Sequence, residues 1–488
     1  MASPRIKVPS HIASEGFSPA QTERRPVEHF GTLVAIGEVT GDLLAAMAGI
    51  LGAFYLYAAA QLGQQLRYGS NLAIPAAAAF GLLFVFMLDR AGGYRRGNSL
   101  LRIRETERVL RVSFQSFAMV FPVTFFLSFP FSRWTLTFAM VLVPLTVISE
   151  KQLLLLLIRQ LHCRGYGVQN VVIYGAGATG RRLFSALVRS PRLGLNPVAI
   201  VDDAADLDGQ LLYEYGYRRE RCVQVIRGPL TTESIRATGA GMVVVGIPSL
   251  RRERLDEIAA NAFAADAQIA FVPQLSYGKD TLTDCVDIDG VLIASLFRTP
   301  RRYVYECGKR AFDLTASVLL LLVSSPLWLL LAVLIPWDSK GPALFRQLRV
   351  GRGGRIFCLY KFRSMWTDAS VYQAHPTCAD DPRVTRVGRW LRRSSLDELP
   401  QLINVLRGEM SLVGPRPEMP FIVKQYDERQ RQRLCVTPGL TGLWQLSADR
   451  AFLIHENIYY DLYYIRNRNF FMDLAILLHT LAFAARGV

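Results

Sequence analysis

The sequence predicts a membrane protein of the α plus α/β class: an N-terminal four-helix transmembrane bundle, then a Rossmann-like α/β domain, then a monotopic C-terminal domain held to one membrane face by a re-entrant helix. Three observations carry this prediction. Four apolar stretches, near 43–62, 72–88, 114–131 and 136–158, are each about long enough to cross a bilayer. A Gly-x-Gly-x-x-Gly turn, Gly175, Gly177 and Gly180, follows a buried-strand pattern and precedes a helical one. A fifth apolar run, 311–336, has basic residues on both flanks and Ser324-Ser325-Pro326 at its middle.

At 488 residues the chain has room for two or three domains. Its 56 basic and 40 acidic residues leave a net charge of +16, which invites a nucleic-acid reading. With 51% apolar residues and a positive mean hydropathy, a membrane is the better match, and no nucleic-acid partner is expected. Much of the positive charge flanks the apolar runs and the 340–433 segment, as suits a chain lying against anionic lipid and handling phosphates. The seven cysteines form no Cys-x-x-Cys pair and have no His at metal spacing, so they read as reduced cytosolic thiols without structural zinc.

Residues 1–36 are polar, carry four prolines and lack the apolar core of a signal peptide; they read as a disordered cytosolic tail. The bundle is expected over 37–162. Between its second and third apolar stretches, residues 89–111 hold seven arginines, whereas the other two connections hold one each, Arg67 and Arg133. The positive-inside rule therefore puts that linker and both ends of the bundle in the cytosol.

The α/β domain is expected over 163–299. Strand patterns at 171–174, 198–201, 242–246 and 269–272 alternate with helical ones, and a helix is expected from Arg181. Asp202-Asp203 ends the second strand, where a dinucleotide-binding domain keeps its ribose-binding acid. Gly175, Gly177 and Gly180 form a candidate nucleotide loop, with tight helix packing as the plainer explanation of the same glycines.

The domain at 300–488 opens with the 311–336 run. Read by hydropathy it is a fifth span, which would put everything after Trp337 outside the cell. Its flanks disagree: Arg301, Arg302, Lys309 and Arg310 precede it, and Lys340, Arg346, Arg349, Arg352 and Arg355 follow it. A proline removes a helix hydrogen bond, and serine hydroxyls can bond the freed carbonyls, so a helix broken at Ser325-Pro326 that enters and leaves by one face satisfies both observations. Near the end, Tyr459, Tyr460, Tyr463 and Tyr464 and the run 470–486 suit interfacial helices, with an ordinary core face as the alternative.

The chemistry concentrates in Ser395-Leu-Asp397-Glu398 through Gly414-Pro-Arg416-Pro417. Adjacent carboxylates can divide labour, one attacking and one holding a hard cation. Arg416 between two prolines is a preset fork for a phosphate. A capping box at Ser395 is the plain alternative. Arg383, Arg386, Arg389, Arg392 and Arg393 lie just upstream, with Lys361 and Arg363 earlier still, and such a basic setting suits a diphosphate with a divalent ion.

From about Arg301 onward, and most clearly in YKFRSM, DPRVTRVGRWLRRSSLDELPQLINVLRGEMSLVGPRP and TPGLTGLWQLS, the chain resembles the polyprenyl-phosphate hexose-1-phosphate transferases, large monotopic phosphoglycosyl transferases of bacterial polysaccharide assembly. The resemblance implies a ping-pong reaction in which Asp397 takes the phosphosugar of a UDP-sugar, releasing UMP, and undecaprenyl phosphate then accepts it. It implies that Glu398 binds Mg²⁺, that Lys361, Arg392 and Arg416 bind phosphate, with Arg363 beside them, and that Ser325 and Pro326 break the helix. It further implies a multi-pass protein of the bacterial inner membrane with its catalytic domain on the cytosolic face, in contact with membrane lipid and initiating exopolysaccharide or related glycan assembly. UDP-glucose is the leading donor, and a homodimer is one oligomeric state left open. After TGLWQ the chain departs from the family's Val-Ser-Gly-Arg type sequence, which leaves this loop uninformative about the sugar.

Two other readings compete. A membrane-bound nucleotide-sugar dehydratase or epimerase would use Tyr305 and Lys309 as its Tyr-x-x-x-Lys pair. A non-catalytic scaffold would recruit partners through the bundle. Mg²⁺-dependent UMP release separates the transferase from both.

Overall fold

In a computed structural model, the structure describes residues 30–60, 70–94, 102–126, 132–189, 194–204, 208–216, 219–272, 281–288, 291–298, 302–367, 381–447 and 458–484. Most of the expected tail, and Ala448 to Arg450 of the divergent loop, lie outside these residues. The chain forms two compact units, one of residues 1–95 and 116–276 and one of residues 96–115 and 277–488.

The first unit begins with α1 (Phe30–Ala60), α2 (Ser70–Arg90), the distal part of α3 (Arg102–Phe126) and α4 (Arg133–Cys163). The first helix thus starts within the stretch expected to be tail, because the apolar face begins at Phe30. Small residues let α1 and α4 approach closely: a Cβ on Gly49 would lie 2.7 Å from Val143 Cα, and Ala46, Ala53 and Ala139 are fully buried. Of these four helices, α1, α2 and α4 are long and apolar enough to cross a membrane. α3 is not among them, since its first turns carry Arg102, Arg104, Glu105, Glu107, Arg108 and Arg111.

The α/β part comprises β1 (Gln169–Tyr174), α5 (Ala178–Arg189), β2 (Leu195–Asp202), β3 (Leu211–Gly216), β4 (Arg219–Arg227), α6 (Thr232–Ala237), β5 (Met242–Val245), α7 (Arg252–Ala264) and β6 (Gln268–Phe271). The sheet order is β3-β4-β2-β1-β5-β6, with all pairs parallel except β3 against β4. The five parallel strands have the doubly wound order expected of a Rossmann-like fold. Buried Val172, Tyr174, Val243 and Val245 face one side and Val171, Ile173 and Val244 the other, so the strands read as continuous apolar runs. The helix starts at Ala178, inside the glycine motif and not at Arg181.

The second unit holds the hairpin β7 (Thr281–Ile288) and β8 (Val291–Arg298), then α8 (Tyr303–Asp338) and the antiparallel pair β9 (Leu344–Val350) and β10 (Ile356–Phe362). After these come α9 (Arg386–Arg393), α10 (Gln401–Arg407), β11 (Ser411–Val413), α11 (Pro420–Lys424), α12 (Glu428–Arg431), β12 (Gly439–Thr441), α13 (Ile458–Asn467) and α14 (Phe470–Ala484). α8 is also long and apolar enough to cross a membrane. Its two ends are tied to neighbouring helices of this unit. Arg310 donates to the carbonyls of Val405 and Leu406 at the C-terminus of α10, at 2.6 and 2.9 Å, and Asp338 accepts from Val387 N at the N-terminus of α9, at 3.0 Å. Both charges have the sign that the helix end favours. Between them Leu319, Leu322, Val323, Leu329 and Leu330 are exposed. Ser325 Oγ donates to Leu322 O at 2.7 Å, the carbonyl that Pro326 leaves without an amide partner.

Part of the unit's core comes from far upstream. Ile103, on the proximal part of α3, packs in one buried cluster with Leu402, Val405, Leu412, Met472 and Ile476, and Thr106 Oγ1 meets His479 Nε2 at 2.9 Å. The C-terminal tyrosines are core as well: Tyr464 is buried and donates to Asp473 Oδ1 at 2.7 Å, and Tyr460 and Tyr463 pack against the same cluster. The side chain of Tyr459 lies outside the described residues. Met472, Ala475 and Ile476 bury one face of α14, while Leu481 is exposed.

Candidate functional site

The two carboxylates sit on a single 3-10 turn, Leu396–Glu398, between α9 and α10. Ser395 precedes it with φ 55°, a left-handed backbone that is costly for a residue with a Cβ. Its side chain makes no capping hydrogen bond, so the capping-box alternative is not what this segment forms. Because the turn joins α9 to α10, and α8 is tied to both, the turn is linked to α8 through contacts near both of its ends.

Glu398 Oε1 accepts from Lys361 Nζ at 2.6 Å and from Arg416 Nη2 at 2.9 Å. Lys361 is delivered by β10, opposite Phe345 of β9, and β10 is pinned to α10 by Asn404, which accepts from Tyr360 N and donates to Cys358 O. Burial works to raise the Glu398 carboxyl, but Arg416 and Lys361 outweigh it and hold the group well below the usual carboxylate range. Asp397 is 9% exposed and makes no hydrogen bond among the described residues. Burial raises its carboxyl above the ordinary value, helped by the charge of Glu398 and opposed by Lys361, Arg392 and Arg416. Side by side, then, stand one carboxylate locked into its ionised form and one left poorly solvated and unpaired.

Both line a cavity of about 1810 Å³, together with Lys361, Arg392 and Arg416. Part of the wall is apolar, with Phe312, Ala316 and Leu320 of α8 and Leu477 and Leu481 of α14 among the contributors, and further basic and polar side chains from other elements complete it. Charged head and apolar wall are thus continuous. Arg392 is oriented by Ser364 Oγ, which accepts from its Nε at 2.9 Å.

The predicted basic residues separate into two groups. Arg383, Arg389, Arg392 and Arg393 line the cavity, whereas Arg386 is exposed and absent from its wall; Arg383 is held by Asp381 Oδ2 at 2.7 Å. Arg363 has a second role that the sequence does not foretell. It also borders the cavity, but its guanidinium is committed to the end of α8, donating to Lys340 O at 2.8 Å, to Ser339 Oγ at 2.9 Å and to Ser339 O. Those carbonyls end a helix and lack intrahelical partners, so Arg363 caps the end of α8 while bordering the cavity.

Ser325 and Pro326 lie in the middle of α8 and take no part in the carboxylate cluster. Tyr305 and Lys309 both bond Asp473 Oδ2, at 2.7 and 2.9 Å. This ties α8 to α14 and leaves them engaged in packing, against the dehydratase reading.

Among the described residues no group of three or more His, Cys, Asp or Glu is placed to hold a metal. The pair nevertheless fits a hard cation that brings most of its ligands with it. Glu398 Oε2 and Asp397 are oxygen donors without hydrogen-bond partners among the described residues, and Mg²⁺ is commonly bound by one or two carboxylates with substrate phosphates and water.

In the first unit, Gly175 has φ 106°, and a Cβ on Gly180 would fall 1.7 Å from Gly175 O. Gly177 has open space. Asp202 Oδ2 accepts from Ala176 N at 2.5 Å, and Asp203 Oδ2 from the Tyr174 hydroxyl at 2.5 Å. Two residues near the carboxylate site escaped sequence reading. Arg349 and Arg433 are buried beneath Arg416, and in the sequence they are indistinguishable from the other arginines of a basic segment.

Fold and site together define a membrane-associated transferase of the bacterial sugar transferase family, to which the chain belongs: that family's profile matches residues 304–487. The profile of a CoA-binding domain family matches residues 89–273. Among the relatives, the undecaprenyl-phosphate galactose phosphotransferase of Salmonella typhimurium is 30% identical over 382 residues, covering 73% of this chain and 75% of that protein. The undecaprenyl-phosphate glucose phosphotransferase of Komagataeibacter xylinus is 49% identical over 185 residues, 36% of this chain and 35% of that protein. The UDP-glucose:undecaprenyl-phosphate glucose-1-phosphate transferase of Escherichia coli is 30% identical over 324 residues, 65% of this chain and 68% of that protein.

Proposed function

We propose that this protein transfers a hexose-1-phosphate from a UDP-sugar, with UDP-glucose the leading donor, to undecaprenyl phosphate at the cytosolic face of the inner membrane, at the start of polysaccharide assembly. The relatives named above support the substrate classes. The observation that carries the reading is Asp397: a buried carboxylate without hydrogen bonds among the described residues, in a cavity where Lys361, Arg392 and Arg416 act on it and apolar side chains of α8 and α14 form part of the wall.

In the first half-reaction an Asp397 carboxylate oxygen forms a bond to the sugar-bearing phosphorus, and the bond from that phosphorus to the bridging oxygen breaks. UMP leaves with the electron pair, and a phosphosugar remains on the aspartate. In the second half-reaction a phosphate oxygen of undecaprenyl phosphate attacks the same phosphorus and the aspartyl bond breaks, which restores the carboxylate. The covalent stage allows a soluble donor and a lipid acceptor to use one site in turn. A carboxylate attacks a phosphoryl group poorly unless the negative charge is neutralised, and Lys361, Arg392 and Arg416 supply cations for this. Mg²⁺, held by Glu398 Oε2 and the donor's phosphates, would add further neutralisation when bound.

The apolar wall suits the polyprenyl chain of the acceptor, and we take α8 to be the re-entrant element that brings the cavity to lipid depth. Ties from both ends of α8 to α9 and α10, and the Ser325 hydroxyl on the carbonyl freed at Pro326, support that topology. The test is purified protein in detergent with undecaprenyl phosphate and a panel of UDP-sugars, reading UMP with and without Mg²⁺. Release from one or a few UDP-sugars, lost on chelation, is expected; no release from any would overturn the reading.

A further inference from the structure

Arg416 stands between two prolines, which restrict its backbone but do not fix where the Gly-Pro-Arg-Pro turn sits relative to Glu398. Two other arginines do this from behind. Arg433 Nη2 donates to Arg416 O at 2.9 Å, and Arg349 Nη1 donates to Pro417 O at 3.2 Å, so consecutive carbonyls of the turn are each gripped by a guanidinium. Neither arginine lines the cavity, and they are only 4% and 5% exposed. Arg433 is itself anchored: its Nη1 donates to the Tyr426 hydroxyl at 2.5 Å, and its Nε forms an ion pair with Asp461 Oδ2 of α13 at 2.6 Å. Arg349 has only neutral acceptors, Pro417 O and Gln347 Oε1 at 2.6 Å, and forms no ion pair among the described residues.

A buried guanidinium without a carboxylate is costly, and an apolar side chain could fill the same space more cheaply. Two buried guanidiniums, Arg349 without an ion pair among the described residues and Arg433 paired with Asp461, spent on adjacent carbonyls of a turn whose side chain reaches the carboxylate pair point to positioning of that side chain. We infer that Arg433 and Arg349 are positioning residues that clamp the Arg416–Pro417 segment from beneath and so hold the Arg416 guanidinium on Glu398 and on the donor's phosphate. The inference rests on the transferase reading above. Arginine is required at both places because one planar fork must serve several acceptors in fixed directions, which an ammonium on a flexible stem cannot do.

The experiment is a double-mutant cycle on the full-length protein in detergent, with UMP release from the preferred UDP-sugar as the readout. Arg433→Met and Arg349→Met are each made alone and together with Arg416→Ala, and folding is checked by thermal unfolding and gel filtration. In the parent, each is expected to lower kcat/KM about 10- to 100-fold, the range found when a supporting residue releases a ligand-binding one. In the Arg416→Ala background each is expected to cost less than about twofold, because the side chain they position is gone. A role confined to folding predicts losses that multiply, and that result overturns the inference, as does a folded Arg433→Met protein with parental kinetics. Where Arg433→Met does not fold, Arg433→Lys carries the same cycle, since lysine keeps a cation near Asp461 without spanning Tyr426 and the Arg416 carbonyl. Parent protein that releases no UMP at all overturns the transferase reading and this inference with it; an active parent with multiplying losses overturns this inference alone.

Discussion

Arg416 Nη2 and Glu398 Oε1 are bonded at 2.9 Å across 18 residues of chain, and Lys361 reaches the same oxygen from a separate strand. A carboxylate gripped twice on one oxygen is held ionised and oriented, with its second oxygen left over. Replacing Glu398 by Gln keeps the size and removes the charge. Turnover is expected to fall by about 100-fold at low Mg²⁺ and to recover in part at high Mg²⁺, while the covalent adduct on Asp397 still forms. Arg416→Lys is expected to behave as a loss as well, because an ammonium cannot reproduce the fork. Steady-state UMP release across a Mg²⁺ series checks both, and an unchanged Mg²⁺ dependence in Glu398→Gln would count against Glu398 as the metal-binding group.

Asp397 carries the opposite shift from its neighbour, raised by burial where Glu398 is lowered by its cations. On the proposed mechanism the attacking form is the carboxylate, so adduct formation should be lost as pH falls through a value above that of an ordinary aspartate, about 3.9. For stability the direction is reversed. A carboxyl whose folded-state value is raised contributes its stabilisation at low pH, and this is lost as pH rises through the raised value, leaving a buried charge as a net cost at neutral pH. Asp397→Asn is therefore expected to abolish the adduct and reduce turnover by about 10³-fold or more. It should also melt higher than the parent, by about 2–4 °C for each kcal/mol relieved. Intact mass after incubation with donor alone, with thermal unfolding at pH 7, reads both outcomes.

Ser325 and Pro326 form a matched pair in which the proline withholds an amide and the serine hydroxyl takes up the carbonyl. Replacing both by Leu restores the ladder hydrogen bond and deletes the polar group, making 311–336 a straight span. The double variant is expected to lose UMP release and to move Lys340→Cys from the cytosolic to the periplasmic side in accessibility labelling of whole cells. Periplasmic labelling of Lys340→Cys in the otherwise unaltered protein would contradict the re-entrant topology.

Much of this arrangement is legible in the sequence, for reasons that differ from element to element. The parallel strands are apolar runs of fixed length between turn signals, and strand order follows from the handedness and short connections of βαβ units. The Asp397-Glu398 pair and Arg416 stand out because such residue types are rarely packed so closely without a ligand. The capping contacts of Arg363 are not legible because, in a basic segment, nothing local distinguishes a cation that caps a helix from one that faces a cavity; only the fold brings Ser339 to it. The same ambiguity hid Arg349 and Arg433. Ile103 was out of reach for another reason: it belongs to the core beneath α10 and α14 although some 300 residues separate it from them, and no periodicity encodes a partner at that distance. The tyrosines of α13 fit an interfacial and a core face equally by pattern, and the choice was made by Asp473, whose carboxylate holds Tyr464.

In the glycine loop the packing role that the sequence leaves shared among Gly175, Gly177 and Gly180 does not extend to Gly177. Gly177 is the middle glycine of the motif, yet a Cβ there meets nothing within 4 Å and its φ is not in the left-handed region. Gly180 lies on the first turn of α5 with its Cα against the Gly175 carbonyl, where a Cβ would be 1.7 Å from the oxygen. Backbone on both sides prevents relief by a rotamer change, so α5 would have to lift from β1. Gly180→Val is accordingly expected to destabilise the α/β part by about 1–3 kcal/mol or more. Gly177→Ala, which adds a methyl group in open space, should stay within about 0.5 kcal/mol of the parent. Both variants should release UMP at parental rates per folded molecule, because no residue of this loop borders the cavity that holds Asp397. Thermal unfolding followed by circular dichroism ranks the two. A Gly177→Ala protein less stable than Gly180→Val would mean that the loop is held differently, and a stable Gly180→Val protein without UMP release would tie this loop to the chemistry at Asp397.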